Sequence, residues 1–210
     1  MPDLTPDTAA PHPDDGDAGK AALRRRMRAL RRTISPPEAR HAGVRVADQV
    51  GDLPRWPEAA TVAVYLAADG EIDTTAVVDR CRTENKQICL PVVLPDGRLA
   101  FASWEPGAAL VRNRFGIPEP PPEAGRYPLS RLDVMLLPLV AWDRTGTRLG
   151  MGGGFYDRTL AAGGSQPCLA GLAYESQEID ALPRQSWDIR MDFVVTEAGL
   201  HGCAPGGVAD

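Results

Sequence analysis

The sequence predicts an α/β protein: a single three-layer domain, Rossmann-like, with a mainly parallel sheet flanked by helices. Three observations carry this. Short apolar runs of strand length alternate with segments of helical periodicity from about residue 61 onward, the pattern of a parallel sheet covered by helices. The run Val134-Met135-Leu136-Leu137-Pro138-Leu139-Val140 leads into Gly150-Met151-Gly152-Gly153-Gly154 and then a helix start, so strand, glycine loop and helix follow in order. A chain of 210 residues, 43% of them hydrophobic, is long enough for one ample core.

Residues 1–19 are mostly Pro, Asp, Ala and Gly with little to bury, and are expected to be a disordered acidic tail. A helix follows from about Ala18 to Thr33, because Leu23, Met27, Leu30 and Ile34 recur as one apolar stripe. Ser35 caps a second helix, with Pro36 at its first position and Glu38 three residues after the serine. It runs to about Val50. The alternation then gives a strand at 61–66, a helix at 74–84, a strand at 87–91 and a strand or hairpin arm at 99–104. After a proline-rich loop come a strand at 134–140, the glycine loop and a helix near 156–161. A strand at 169–173 and a last strand at 193–196 complete the sheet. The domain is expected to span 20–200, with 201–210 as a C-terminal tail.

Composition excludes several classes. The net charge of −5 comes from Asp3, Asp7, Asp14, Asp15 and Asp17, and the rest holds equal numbers of acidic and basic residues. No basic domain marks a nucleic-acid binder. Cys81, Cys89, Cys168 and Cys203 lie far apart without a Cys-x-x-Cys pair, as expected for reduced thiols in a cytoplasmic protein. His12, His41 and His201 are in no nucleophile motif, which argues against a histidine-based hydrolase. No apolar run approaches the roughly 20 residues of a membrane span.

The chemistry concentrates around the glycine loop. In open parallel sheets ligands bind beyond the carboxyl ends of the strands. Four glycines in five positions (Gly150, Gly152, Gly153, Gly154) let backbone N–H groups converge beside a helix N-terminus, which suits phosphate. Arg148 and Arg158 bracket the loop with planar donor forks. A tight strand-to-helix turn is the plainer alternative. The loop is no P-loop, since no Gly-Lys-Ser/Thr closes it, and Phe155 stands where a dinucleotide fingerprint needs its third glycine. On the first helix Lys20, Arg24 and Arg31 fall within about 40° of one another, either aimed at a ligand or forming a solvated basic face. Glu71 and Asp73 follow the first strand: Asp73 or Thr74 is expected to cap the next helix, leaving Glu71 to face a ligand. Asn113–Pro120 reads as an ordered loop in which Phe115 and Ile117 can pack. Asp157, Asp188 and Asp192 are candidate oxygen ligands for a hard cation such as Mg²⁺.

Together these segments resemble the 5-formyltetrahydrofolate cyclo-ligase, or methenyltetrahydrofolate synthetase, family. Residues 143–158 are similar to its Asp-x-x-Gly-x-Arg-Leu-Gly-x-Gly-x-Gly-Tyr-Tyr-Asp stretch. Support comes in order from Lys20-x-x-Leu23-Arg24, Glu71-Ile72-Asp73-Thr74, Gly116-Ile117-Pro118-Glu119-Pro120 and Asp188-x-x-x-Asp192. The resemblance implies ATP- and Mg²⁺-dependent closure of 5-formyltetrahydrofolate to 5,10-methenyltetrahydrofolate, with release of ADP and phosphate.

Carried over by position, Lys20 and Arg24 would hold ATP phosphates. Arg148, Leu149, Gly150, Met151, Gly152, Gly153, Gly154, Phe155 and Tyr156 would wrap the nucleotide. Leu66 and Glu71, with Gly152 through Phe155, would contact folate, and Asp157 and Asp188 would ligate Mg²⁺. Lys20, Arg148 and Tyr156 are implied as the catalytic set. The implied partner is a folate with or without a polyglutamate tail, bound by a cytoplasmic monomer. Phe155 replaces the first tyrosine of the usual pair, Gly153 stands where some members carry Lys, and Trp187 stands where His is common. Two rival classes remain at this point: a diverged folate- or nucleotide-binding paralogue that closes no ring, and a sugar-phosphate isomerase on a similar scaffold.

Overall fold

The computed structural model describes residues 13–161 and 163–203. Helix α1 (Pro13–Arg31) and helix α2 (Pro36–Val50) precede β1 (Thr61–Ala63), α3 (Thr75–Thr83), β2 (Gln87–Val93) and β3 (Leu99–Ser103). Three two-residue strands follow: β4 (Val111–Arg112), β5 (Pro118–Glu119) and β6 (Arg126–Tyr127). Next come β7 (Val134–Pro138), the pair β8 (Ala141–Trp142) and β9 (Arg148–Leu149), and α4 (Phe155–Leu160). The chain ends with β10 (Cys168–Leu172), β11 (Phe193–Val195) and β12 (Leu200–Gly202).

Eight strands form one sheet in the order β12-β11-β10-β7-β1-β2-β3-β6. The five central strands pair in parallel, whereas β12, β3 and β6 pair antiparallel at the edges. The predicted architecture is what forms. Its layers follow from the period-two alternation of strands. On β7, Val134 and Leu136 join a core under α2 and α3, with Val46, Val50, Val77 and Cys81. Met135 and Leu137 face the other way and pack with Leu160 of α4. A smaller cluster seats α1, whose Met27 packs on Val140, Ala141 and Leu149. The start of α2 is capped as its sequence predicts, Ser35 and Glu38 forming a reciprocal capping box.

Several expectations are corrected. Helix α1 begins at Pro13, inside the tail assigned to 1–19. Pro at the first position and Asp14, Asp15 and Asp17 next to it suit a helix start as well as they suit a tail. Residues 1–12 lie outside the described residues. Leu30 is exposed, because the buried line on α1 advances by fours through Leu23, Met27 and Arg31. Strand β1 stops at Ala63, short of Leu66. Residue 201 is not tail: β12 pairs with β11, and the His201 ring stacks on Trp142 at 4.9 Å. Residues 204–210 lie outside the described residues. The glycine loop does not follow β7 directly, because the β8–β9 hairpin intervenes. The turn of that hairpin is tied by Asp143 Oδ1, which accepts N–H bonds from Thr145 and Thr147.

Candidate active site

The carboxyl ends of the central strands open into a cavity of about 900 Å³. Every site residue that the resemblance implies lines it: Lys20, Arg24, Leu66, Glu71, Arg148 through Asp157, and Asp188. Segments 168 residues apart in sequence meet there, as the Lys20 Nζ to Asp188 Oδ2 contact of 3.1 Å shows. Asp192, the third candidate cation ligand, does not line the cavity, and its Oδ2 instead accepts the Leu169 N–H at 2.8 Å.

The glycine loop runs from β9 into α4. Leu149 is buried under α1, which brings Gly150 against that helix, and Arg24 Nε donates to the Gly150 carbonyl at 2.9 Å. Gly152 and Gly154 have φ of +101° and +63°, the left-handed region that glycine alone adopts freely. A side chain at Gly153 would have its Cβ 2.5 Å from the Phe155 ring. The two departures from the family pattern, Gly153 and Phe155, are thus sterically linked. Helix α4 has only six residues, which leaves little helix dipole to act at the loop.

The bracketing arginines differ from expectation. Arg158 does not face the cavity with a free fork, since it donates to the carbonyls of Gly97 and Gly153. Arg148 has a side chain only 5% exposed and reaches Asp157 Oδ1 at 2.7 Å. It also donates to the Ile189 carbonyl. Asp157 accepts from the Ile189 N–H as well, at 3.1 Å, so one carboxylate ties α4 to the segment before β11. Arg31, expected beside Lys20 and Arg24, is buried away from the cavity and donates to the carbonyls of Leu139 and Asp69.

Beyond the end of β1, Glu71 Oε2 accepts the Ala68 N–H at 3.0 Å. Burial raises the Glu71 carboxyl above the usual glutamate value, against that hydrogen bond and the nearby Arg31 charge, while Asp69 adds to the rise. Burial also raises the Tyr156 hydroxyl, with Glu71 adding to the effect and Arg148 opposing it. Thr74 stands at the N-cap of α3 but makes no side-chain cap bond, and Asp73 Oδ1 instead accepts from the Thr75 N–H at 2.9 Å.

Sequence reasoning missed three of the apolar surfaces at the cavity. Phe115 and Ile117 do not pack inward. They stand exposed on the β4–β5 hairpin and line the cavity, with Phe115 edge-on to Phe155 at 5.7 Å. Trp187, noted only as a departure, is exposed at the cavity too. The hairpin was signalled by Asn113, whose Oδ1 accepts from Phe115 and Ile117 N–H groups.

Cysteine chemistry finds no support. All four thiols are free, and burial pushes Cys81 and Cys89 up to about 12 and Cys168 and Cys203 up to about 11. They stay protonated at neutral pH and are poor nucleophiles. Among the described residues no three His, Cys, Asp or Glu side chains converge on a metal position. A hard cation carried in on phosphate oxygens needs only one or two carboxylates; Asp157 and Asp188 both line the cavity, paired with Arg148 and Lys20 respectively. Among the described residues no helix is long and apolar enough to cross a membrane.

Fold and site thus define an α/β protein whose cavity joins cationic, glycine-backbone and apolar walls, built for anionic small molecules with flat apolar parts. The model of the 5-formyltetrahydrofolate cyclo-ligase family matches residues 17–197. A 5-formyltetrahydrofolate cyclo-ligase of Escherichia coli is 42% identical over 176 residues, 81% of this chain and 96% of its own. One from Haemophilus influenzae is 36% identical over 80% of this chain and 91% of its own. The NMR structure of Aquifex aeolicus 5,10-methenyltetrahydrofolate synthetase superposes with a TM-score of 0.78 at 31% identity, covering 91% of this chain and 96% of that one. The chain belongs to the 5-formyltetrahydrofolate cyclo-ligase family, a family of ATP-dependent ligases.

Proposed function

We propose that this chain closes 5-formyltetrahydrofolate to 5,10-methenyltetrahydrofolate at the expense of ATP with Mg²⁺, acting as a monomer in the cytoplasm. The observation that carries this reading is the union of all the implied contacts in one cavity of about 900 Å³. Lys20 and Arg24 reach it from α1 and would neutralise the triphosphate. The backbone of Gly150 to Gly154, which lines the cavity with glycine at four of its five positions, would offer N–H groups to phosphate oxygens. Asp157 and Asp188 would hold Mg²⁺ beside the phosphates, where the cation supplies charge neutralisation. Leu66, Glu71 and Phe155 would bound the folate.

The chemistry needs no protein nucleophile. An amide oxygen is a weak nucleophile and oxide a poor leaving group. Transfer of the γ-phosphoryl group to the formyl oxygen activates the carbon and supplies the leaving group together. The neighbouring folate nitrogen then attacks that carbon and phosphate departs. The protein's part is to hold the formyl oxygen in line with the γ-phosphate and to stabilise the charge in flight. Lys20 can supply a positive charge by exchanging its Asp188 partner for phosphate. Arg148 orients Asp157 and adds fixed charge to the cavity wall. Tyr156, kept protonated by burial, would offer a hydrogen bond to the reacting groups.

Purified protein mixed with ATP, Mg²⁺ and 5-formyltetrahydrofolate should develop methenyl absorbance, and omission of ATP should abolish it. Binding of both ligands without absorbance would make the chain a non-catalytic paralogue. Sugar-phosphate binding without ATP dependence would favour an isomerase.

A further inference from the structure

The proposed reaction leaves unused the most exposed aromatic side chain at the cavity. Trp187 is 65% exposed and lines the cavity near Lys20, Arg24 and Asp188. A mostly solvated indole at a cavity leaves a large apolar face that a bound ligand can bury. The polar neighbours fix its wall. Asp188 follows it in the chain and pairs with Lys20 at 3.1 Å, and the Gln185 N–H donates to the same carboxylate at 2.8 Å. The other aromatic surface at the cavity, the Phe115–Phe155 pair, is carried by the β4–β5 hairpin and the start of α4. That hairpin is tethered to β2 by Glu119, which accepts the Val93 N–H. Two aromatic surfaces therefore line one cavity with Lys20 and Arg24, and the proposed reaction brings two flat heterocycles.

We propose that Trp187 is the platform on which the purine base of the nucleotide stacks. This rests on the reading that Lys20 and Arg24 hold the triphosphate, because a base cannot stray far from its phosphates and Trp187 directly precedes Asp188, the ion-pair partner of Lys20. Stacking engages the face of a base and not its hydrogen-bonding edge. Trp187 therefore adds affinity for a purine triphosphate over bare triphosphate, with little choice between adenine and guanine.

The other tryptophans do not line the cavity: Trp56 and Trp142 are buried, and Trp104 packs against the main core. Fluorescence changes on filling the cavity are thus dominated by Trp187. The full chain is titrated with adenylyl imidodiphosphate and Mg²⁺, with inorganic tripolyphosphate and Mg²⁺, and with 5-formyltetrahydrofolate. Calorimetry gives affinities, and tryptophan emission is followed for the two phosphate ligands. The nucleotide analogue should quench Trp187 while tripolyphosphate does not. Trp187→Ala should bind the analogue about tenfold more weakly, with tripolyphosphate and folate affinities unchanged, and Trp187→Phe should recover most of the loss. Wild-type affinity for the analogue in Trp187→Ala, or a loss confined to folate, would overturn the stacking role alone. No binding of the analogue by the wild-type chain would overturn the nucleotide reading on which it rests.

Discussion

The two halves of helix α1 carry cations along one edge and put them to opposite uses. In the N-terminal half, Lys20 and Arg24 reach cavity segments, one pairing with Asp188 and the other donating to the Gly150 carbonyl. In the C-terminal half, Arg31 is 2% exposed and joins α1 to the β1–α3 connection through the Asp69 carbonyl and to the end of β7 through Leu139. Arg28 and Arg32 close on the same Asp69 carboxylate. Asp69 sits at φ +48° beside Gly70 at φ +76°, a tight turn three cations help to hold. Position on a helix face does not decide whether an arginine serves a ligand or the fold. What lies opposite does.

Exchanging the two halves' cations for alanine should separate activity from stability. Arg31→Ala takes away the donor to the Asp69 carbonyl and one of the two donors to the Leu139 carbonyl, which keeps Gln177 Nε2, and weakens the turn that positions Leu66 and Glu71. Hydrogen bonds from a charged donor are worth about 1.5–3 kcal/mol each. At ~2–4 °C per kcal/mol for a chain of this size, the melting temperature should fall on the order of 10 °C. Lys20→Ala should instead lower turnover about a hundredfold or more, as losing one preorganised charge does. It should move the melting temperature by only ~2 °C, because a part-exposed ion pair is worth about 1 kcal/mol or less. Circular-dichroism melts and the methenyl assay read both. A stable Arg31→Ala or an active Lys20→Ala would erase the distinction.

The glycine loop offers the same contrast within five residues. Gly152→Val forces a β-branched residue into φ near +101°, at about 1–3 kcal/mol of backbone strain. Its affinity for an ATP analogue should fall by more than that strain explains. Gly150 has nothing within 4 Å of its would-be Cβ, so Gly150→Ala should keep the wild-type melting temperature. Calorimetric titration of both variants tests the loop, and wild-type affinity in folded Gly152→Val would leave it a mere turn.

A smaller effect separates the two aspartates. Asp157→Asn and Asp188→Asn should each raise the Mg²⁺ requirement several-fold more than the folate requirement, since an amide keeps shape and loses the charge a hard cation favours. Asp157 holds Arg148, only 5% exposed, and the Ile189 N–H, whereas Asp188 holds the more exposed Lys20 and the Gln185 N–H, so the Asp157 variant should lose more thermal stability. An unchanged Mg²⁺ titration would make that aspartate structural.

The sequence revealed what local chemistry dictates. Ser35 and Glu38 announce the start of α2, Leu23 and Met27 seat α1 so that Lys20 and Arg24 reach the cavity, and the glycines at 152 and 154 occupy positions where φ is positive. Contacts between distant segments stayed hidden. Arg158 looks like a phosphate cation until Gly97, 61 residues earlier, turns its carbonyl toward it. His201 looks like tail until β11 offers an edge and Trp142 a ring. Phe115 and Ile117 carry a core-like composition, yet a two-residue hairpin holds them out over the cavity. Apolarity alone does not distinguish a core from a surface kept for a ligand.

Glu71 should show the smallest and most diagnostic effect, because here binding and stability are expected to move in opposite directions. Its carboxyl is buried and raised above the ordinary glutamate value chiefly by desolvation. A raised carboxyl binds its proton more tightly folded than unfolded. Its stabilising contribution is therefore present below the unfolded value of about 4.3 and is lost as pH rises through the higher folded value. At neutral pH the wild-type chain holds a charge in a site that disfavours it. Glu71→Gln removes that charge, and its amide oxygen can still accept from the Ala68 N–H. The variant should melt slightly higher than wild type at neutral pH, with the difference shrinking toward zero as the solution is acidified below the glutamate range. The same variant should bind 5-formyltetrahydrofolate more weakly while its affinity for an ATP analogue stays put, since Glu71 bonds to Ala68 and touches neither Lys20 nor Arg24 by a hydrogen bond. Melting curves across pH, paired with calorimetric titration of each ligand, read both effects. If Glu71→Gln melts lower at neutral pH and binds folate as wild type does, the carboxylate belongs to the fold, like Arg31, and not to the ligand.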